Sequence, residues 1–370
     1  MVSPVTRRRP AAARSLCLLL LGVVLAAVAS ACTSIASPQG WADPVFAGNT
    51  IYFSGSKGQL EAYDRDAKKI LWTFPNAATK QLKLEGIYST PTLDDQALYF
   101  GAYNGNIYAL DRSSGALRWG FNTGSPIIGG LLLKDGTLYA GNSDGHVLAL
   151  RATNGDRLWQ QSAGRRVWST PIDAGSLIVV PSMDKYVYAF DTQGKLAWKS
   201  NTTGAAIAST PLLEGQTLTF GAFDKRFHAI QVGNGKQVWA SPEAGNWFWT
   251  RGLISGDNLY AGNLDGQVYA FKSATGELAW KANLGSPVRS APALVQGVLV
   301  VAGRNGLIHG LDPASGQEKW PAIDAGGTLL ANLILQNDTL YALTEAGGKG
   351  NPHLLQIDAA RGAGSNVLTP

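Results

Sequence analysis

The fold class that this sequence predicts is all-β, an eight-bladed propeller of four-stranded antiparallel blades, and three observations predict it. Seven tryptophans, Trp72, Trp119, Trp159, Trp198, Trp239, Trp280 and Trp320, fall 47, 40, 39, 41, 41 and 40 residues apart. Each closes a segment of similar wording, as in LYFGAYNGNIYALDRSSGALRW, LYAGNSDGHVLALRATNGDRLW and LYAGNLDGQVYAFKSATGELAW. Short alternating apolar runs fill each period, broken by Gly, Asn and Asp at regular places. A period of about 40 residues with these features is that of a propeller blade.

The first element of the chain is not part of any blade. Arg7, Arg8, Arg9 and Arg14 precede an uncharged stretch, residues 15–31, that ends in small residues. This pattern reads as a secretory signal peptide over 1–31, too short to span a membrane comfortably. The formal charge of +5 therefore misleads, because removing those four arginines leaves 27 Lys plus Arg against 26 Asp plus Glu. Nothing in that balance points to nucleic acid. The leader ends in Ala29-Ser30-Ala31-Cys32, which resembles the lipobox of bacterial lipoproteins. The reading it supports is lipid attachment at Cys32, with residues 32–40 a lipidated cysteine and short polar tether. The same residues satisfy the ordinary A-x-A cleavage rule, which leaves a plain secreted protein as the other reading. The only other cysteine, Cys17, lies within the leader, so no disulfide forms within the mature chain.

Residues 41–370 read as one propeller, although the chain exceeds the roughly 250–300 residues at which a single core stops growing. A ring avoids that limit, because each blade buries its faces against its two neighbours. The second repeat shows the strands most clearly, with A, B, C and D at 89–93, 98–102, 106–111 and 116–121. Its B–C turn is Asn104-Gly105, and Asp144-Gly145, Asp265-Gly266 and Asn305-Gly306 match it, with Asp184-Lys185 and Asp224-Lys225 in the same slot. Asn-Gly and Asp-Gly supply the positive φ angles of tight hairpins, so these residues read as turn formers. The C–D turns end in Gly115, Gly155, Gly235, Gly276 and Gly316, whereas the first repeat has Lys68. Eight residues after Asp111 and Asp312 come Trp119 and Trp320. On an outer strand, an indole packs over the neighbouring blade, which makes the seven periodic tryptophans structural docks. After Trp320 a further unit reads as A, B and C at 329–335, 339–343 and 353–358, without a terminal Trp. The expectation is seven complete blades and one degenerate blade, its D strand coming from 365–368 or from the N-terminal segment near 38–42.

Alternating strand direction brings the B–C turns and the D-to-next-A connections to one face. Departures from the repeat gather there: the insertion 73–86, the run 164–168, the run 245–251, Lys225-Arg226, Val288-Arg289 and the loop 345–353. Arg165, Arg166, Trp168, Trp247, Trp249, Arg251 and Arg289 form the candidate partner-binding rim, since aromatics beside Arg are common in protein-binding hot spots. The competing reading has the tryptophans filling the top of the core and the arginines only solvating it. Catalytic chemistry finds no support. His146, His228, His309 and His353 do not pair at metal-ligand spacing, and His228 and His309 occupy a slot held elsewhere by Tyr108, Tyr188 and Tyr269. The glycines of 346–350 lack the Walker spacing, and no Ser stands in a nucleophile elbow. No catalytic, cofactor-binding or metal-binding residue is assigned.

The wording from Leu259 to Trp280 resembles the tryptophan-docking PQQ repeats of the quinoprotein-like propellers, and such repeats cover essentially everything from residue 41 onward. The resemblance implies a quinoprotein-alcohol-dehydrogenase-like ring and two functional branches. One is the pyrroloquinoline-quinone dehydrogenases, with an adjacent Cys pair against the quinone and a bound calcium. This chain has no such pair and almost no blade insertions. The other is the non-enzymatic BamB-type branch, which the lipobox, the 339 residues after the leader and the minimal blades resemble. That branch implies a membrane-anchored scaffold without cofactor, working with a barrel-insertion complex and unfolded envelope proteins. It would sit on the periplasmic face of an outer membrane where the host has one, otherwise on the outer face of the cytoplasmic membrane. A PQQ- and calcium-dependent oxidoreductase, and a surface sensor or glycan-binding propeller, are the alternatives.

Overall fold

Short β-branched and aromatic runs punctuated by positive-φ glycines form strands and hairpins throughout the computed structural model, which describes residues 40–55, 58–345 and 352–368. The leader, Cys32 and most of the loop 345–353 lie outside the described residues. The described residues build eight four-stranded antiparallel sheets in which strand order follows chain order. These blades span 45–74, 92–122, 132–162, 172–200, 212–240, 253–283, 293–324 and 334–366. In blade 2 the four strands are Thr92–Leu93, Ala97–Gly101, Asn106–Asp111 and Leu117–Asn122. The innermost strand is shorter than its pattern suggests because residues just before it turn towards neighbouring blades. Thr90, for example, accepts a hydrogen bond from the Asp43 amide through its Oγ1 at 3.3 Å.

Apolar side chains alternate between the two faces of each blade, so that every core cluster joins two consecutive blades. Tyr52, Leu60, Ala62 and Phe74 of blade 1 pack with Leu98, Phe100, Tyr108 and Leu110 of blade 2. Ile51, Phe53 and Tyr63, on the other face of blade 1, pack with Tyr341, Leu343 and Leu354 of blade 8. The ring closes on itself through this last cluster.

Each periodic tryptophan spans one of these junctions. Trp119 Nε1 donates to the Ala152 carbonyl at 2.9 Å, Trp159 to Thr192 at 2.9 Å and Trp320 to Ala359 at 2.9 Å. Trp72, Trp198, Trp239 and Trp280 donate to Arg112, Val232, Ser273 and Pro313 in the same way. The acceptor always lies in the C–D turn of the next blade, and the turn glycine there lies against the indole. A Cβ at Gly155, where φ is +78°, would stand 2.7 Å from Trp119 Cε3. Across its own blade each indole lies opposite a small residue, as in Ala109↔Trp119, Ala149↔Trp159 and Gly310↔Trp320, and the register shifts beside it. Such a bulge re-aims the strand, and here it turns the indole onto the neighbour.

Blade 8 departs from this scheme as a set. It is not short of a strand: Ala363–Asn366 pairs with Leu354–Asp358. The eighth blade is therefore complete in strands, and its D strand is C-terminal, beginning two residues earlier than 365–368. Gln356 lies opposite Ser365, in continuous register and without an indole. The turn that would receive such an indole is in blade 1, where Lys68 takes φ 51° in place of Gly. Other bonds close this seam. Asn332 donates from its backbone to Asp43 Oδ1 at 2.7 Å and from Nδ2 to Oδ2 at 2.8 Å. Arg65 donates to the Tyr341 hydroxyl at 3.0 Å, and the Tyr63 hydroxyl donates to the Val367 carbonyl at 3.3 Å.

Candidate functional site

The chain enters every inner strand through a similar segment, and corresponding positions of that segment form rings around the central channel. One ring consists of Trp41, Tyr88, Ile128, Trp168, Ala208, Trp249, Arg289 and Leu330, one residue from each blade in order, all lining a cavity of about 580 Å³. In seven of the eight cases the preceding residue packs into the wall: Ile87, Ile127, Val167, Ile207, Phe248 and Val288 are fully buried and Leu329 nearly so, while Gly40 precedes Trp41. Local alternation thus drives one side chain into an inter-blade core and offers the next to the channel mouth. A second tier follows two residues on, with Asp43, Thr90, Thr170, Thr210, Arg251 and Asn332 among its members.

Aromatic and guanidinium groups of the first ring meet across the mouth. The Arg289 guanidinium carbon lies 4.6 Å from the centroid of Trp41 and 4.7 Å from that of Trp249. Trp249 approaches Trp168 at 6.3 Å across the small Ala208, and Arg166 lies over Trp168 at 5.5 Å. Phe223 stacks on Trp249 at 5.6 Å and on Trp247 at 4.4 Å, the second pair only 5° from parallel. On the opposite flank Trp41 meets Tyr88 edge-on at 4.3 Å, and Tyr88 meets Tyr103 at 5.3 Å. The result is one array running from Tyr103 to Trp247, with its outermost members exposed: Tyr103 by 39% and Trp247 by 42%.

Charge in this cavity is unevenly committed. Both oxygens of Asp43 accept from Asn332, and Asp173 holds Lys134 at 2.6 Å. Among the described residues no carboxylate lies in contact with Arg251 or Arg289, although both line the cavity. Burial pushes the Arg289 guanidinium pKa down, and Arg304 nearby adds to this, while Glu345 opposes it.

Asp184, Asp224 and Asp265 of the B–C turns are held in structural bonds. Asp184 Oδ2 accepts from the Tyr188 hydroxyl at 2.6 Å and from the Gly164 amide at 2.7 Å, and Asp265 does the same for Tyr269 and Gly245. His228 takes the tyrosine's place with Asp224, at 2.8 Å, and His309 pairs with Glu318. Among the described residues no group of three His, Cys, Asp or Glu side chains converges as a metal site. The chain's two cysteines, Cys17 and Cys32, are not adjacent in sequence.

Of the residues proposed from sequence, Trp168, Trp247, Trp249, Arg166 and Arg289 join the array. Arg251 lines the channel beneath it without touching a ring, and Arg165 stands apart, beside Arg166, Ser143, Asp144 and Met183 in a separate surface pocket. The wall is filled by Phe248, between Trp247 and Trp249, and not by those tryptophans. Trp41, Tyr88, Tyr103 and Phe223, outside the residues proposed from sequence, complete the array. Alignment of the segments that lead into the inner strands carries the signal for Trp41 and Tyr88, which share a register position with Trp168 and Trp249.

A family model described as outer membrane protein assembly factor BamB matches residues 31–126, 56–261, 143–293 and 224–363. Among solved structures, BamB from Moraxella catarrhalis is similar with a TM-score of 0.72 and 21% identity, over 86% of this chain and 94% of that one. The computationally designed protein Ika8 is similar with a TM-score of 0.71 and 15% identity, over 88% of this chain and 98% of that one. No curated protein sequence matches. At these identities the two solved structures bear on fold alone.

Proposed function

Since this chain belongs to the family of outer membrane protein assembly factor BamB, we propose that it is a non-enzymatic scaffold of the cell envelope that binds protein partners. The observation that carries this reading is the array from Tyr103 to Trp247 on the face where the loops depart from the repeat. Exposed aromatics beside arginines, held by a rigid ring, are what a protein-binding surface requires. The partners proposed are a barrel-insertion complex and unfolded envelope proteins, met by loops or by an exposed blade edge. A lipid on Cys32 would hold the ring near a membrane.

Two experiments test this. Charge reversal at Arg165, Arg166 and Arg251 is expected to abolish partner capture by crosslinking in the native host without lowering the melting temperature, and unchanged capture overturns the role of the rim. Cys32→Ser is expected to move the protein from the membrane to the soluble fraction, and retention in the membrane removes the anchor from the proposal.

A further inference from the structure

We infer that Arg289, clamped between Trp41 and Trp249, is a carboxylate-binding site at the mouth of the central channel, and that its occupant is a carboxylate-bearing segment of a protein partner. The inference rests on the scaffold reading and names the chemistry that the scaffold captures. A guanidinium is planar, and two indoles 4.6 and 4.7 Å away cover it while it stays half-buried. Stacking of this kind leaves the in-plane N–H groups free to donate, in the fork that matches a carboxylate bidentately.

The surroundings favour an anion from outside. Asp43 and Asp173 line the same cavity, but Asn332 and Lys134 occupy their carboxylates. Arg251, one blade away in the second tier, is a further guanidinium without a carboxylate in contact among the described residues. Arg304 disfavours and Glu345 favours the charge on Arg289, so it is burial between the two indoles that an anion in contact with the guanidinium compensates. The cavity of about 580 Å³ is open at the mouth, and Trp168, Tyr88 and Ile128 on its rim offer apolar surface to the rest of an extended segment. The carboxylate has two sources in a protein, an Asp or Glu side chain and a chain terminus. Both present the same planar group.

The test uses the full chain and three octapeptides of otherwise identical sequence: one with a central glutamate and amidated end, one with glutamine there, and the glutamine peptide with a free C-terminal carboxylate. Calorimetric titration at low salt is expected to show the glutamate peptide, the free-ended peptide or both binding about tenfold tighter than the uncharged one. Which of them gains identifies the source. Arg289→Gln is expected to erase the preference, Arg289→Lys to keep only part of it, and Lys281→Gln, on the exposed face of the outer strand Leu278–Asn283, to leave it intact. Should Arg289→Gln fail to fold, Arg251→Gln, at an exposed position, is expected to weaken the preference severalfold. Equal affinity for all three peptides, or a preference that survives every cavity variant, overturns the inference. Partner capture in the host that persists beside equal peptide affinities sinks this site and leaves the scaffold; a peptide preference without any captured partner does the reverse.

Discussion

Tyr188 and Tyr269 show how a repeat residue acquires its chemistry from a neighbour. Burial first, and then the hydrogen bond and charge of Asp184 or Asp265, push each phenol up to about 12. An unfolded tyrosine ionises near pH 10. Between about pH 10 and 12 the folded chain therefore binds more protons than the unfolded one, so the stabilisation is complete below pH 10 and is lost as pH rises through 12. Asp184→Asn is expected to lower the Tyr188 pKa, read from phenolate absorbance in an alkaline titration, and an unmoved titration would remove the carboxylate from this account. The same bonds occupy the Asp184 and Asp265 carboxylates with a tyrosine hydroxyl and the Gly164 or Gly245 amide of the adjoining loop.

At the scale of an element, the blade is a set of co-adjusted residues: a tryptophan, a bulge beside it, a small residue opposite, and a glycine in the next blade's turn. Blade 8 lacks the tryptophan and the bulge and carries Gln356 where the others have Ala or Gly. Lys68, whose turn receives no indole, is the corresponding relaxation in blade 1. Gly155→Ala, which places a Cβ against Trp119 at positive φ, is expected to cost about 1–3 kcal/mol in urea unfolding. Lys68→Gly, which relieves a left-handed non-glycine residue and meets no ring, is expected to change stability by less than about 1 kcal/mol. Equal costs at the two sites would show that the indole contact contributes nothing. The tryptophans and turn glycines are legible in the sequence because they recur. The small residue opposite each indole also recurs, but its purpose is visible only once strand register is known.

The whole molecule is a closed ring with seven docked junctions and one that is built differently. At that junction, which no indole spans, the Asn332–Asp43 pair joins the blades at the channel, and the Arg65–Tyr341 bond adds to the apolar cluster there. Removing Asp43 leaves both Asn332 donors without their partner in a half-buried setting, at about 1–3 kcal/mol. Asp43→Ala is expected to lower the melting temperature and to make blades 1 and 8 exchange their amide hydrogens first, since local openings begin where junctions are weakest. Uniform exchange around the ring would show that the seam is as strong as the docks.

By itself, the sequence determined the repeat, the number of blades, the meander within each, the docking tryptophans and the face on which the loops vary, because each is a local pattern repeated with a fixed period. The tertiary structure decided what closes the ring, which of the off-period aromatics fill the wall and which face the channel, and that Trp41 and Arg289 meet. Trp41 and Arg289 lie 248 positions apart in the chain. No periodicity connects them. Their contact depends on a ring that returns the first blade to the side of the last, and on a smaller residue, Leu330, standing between them in the channel-mouth tier. The most specific chemistry of the molecule therefore sits where the repeat is geometrically kept but chemically broken.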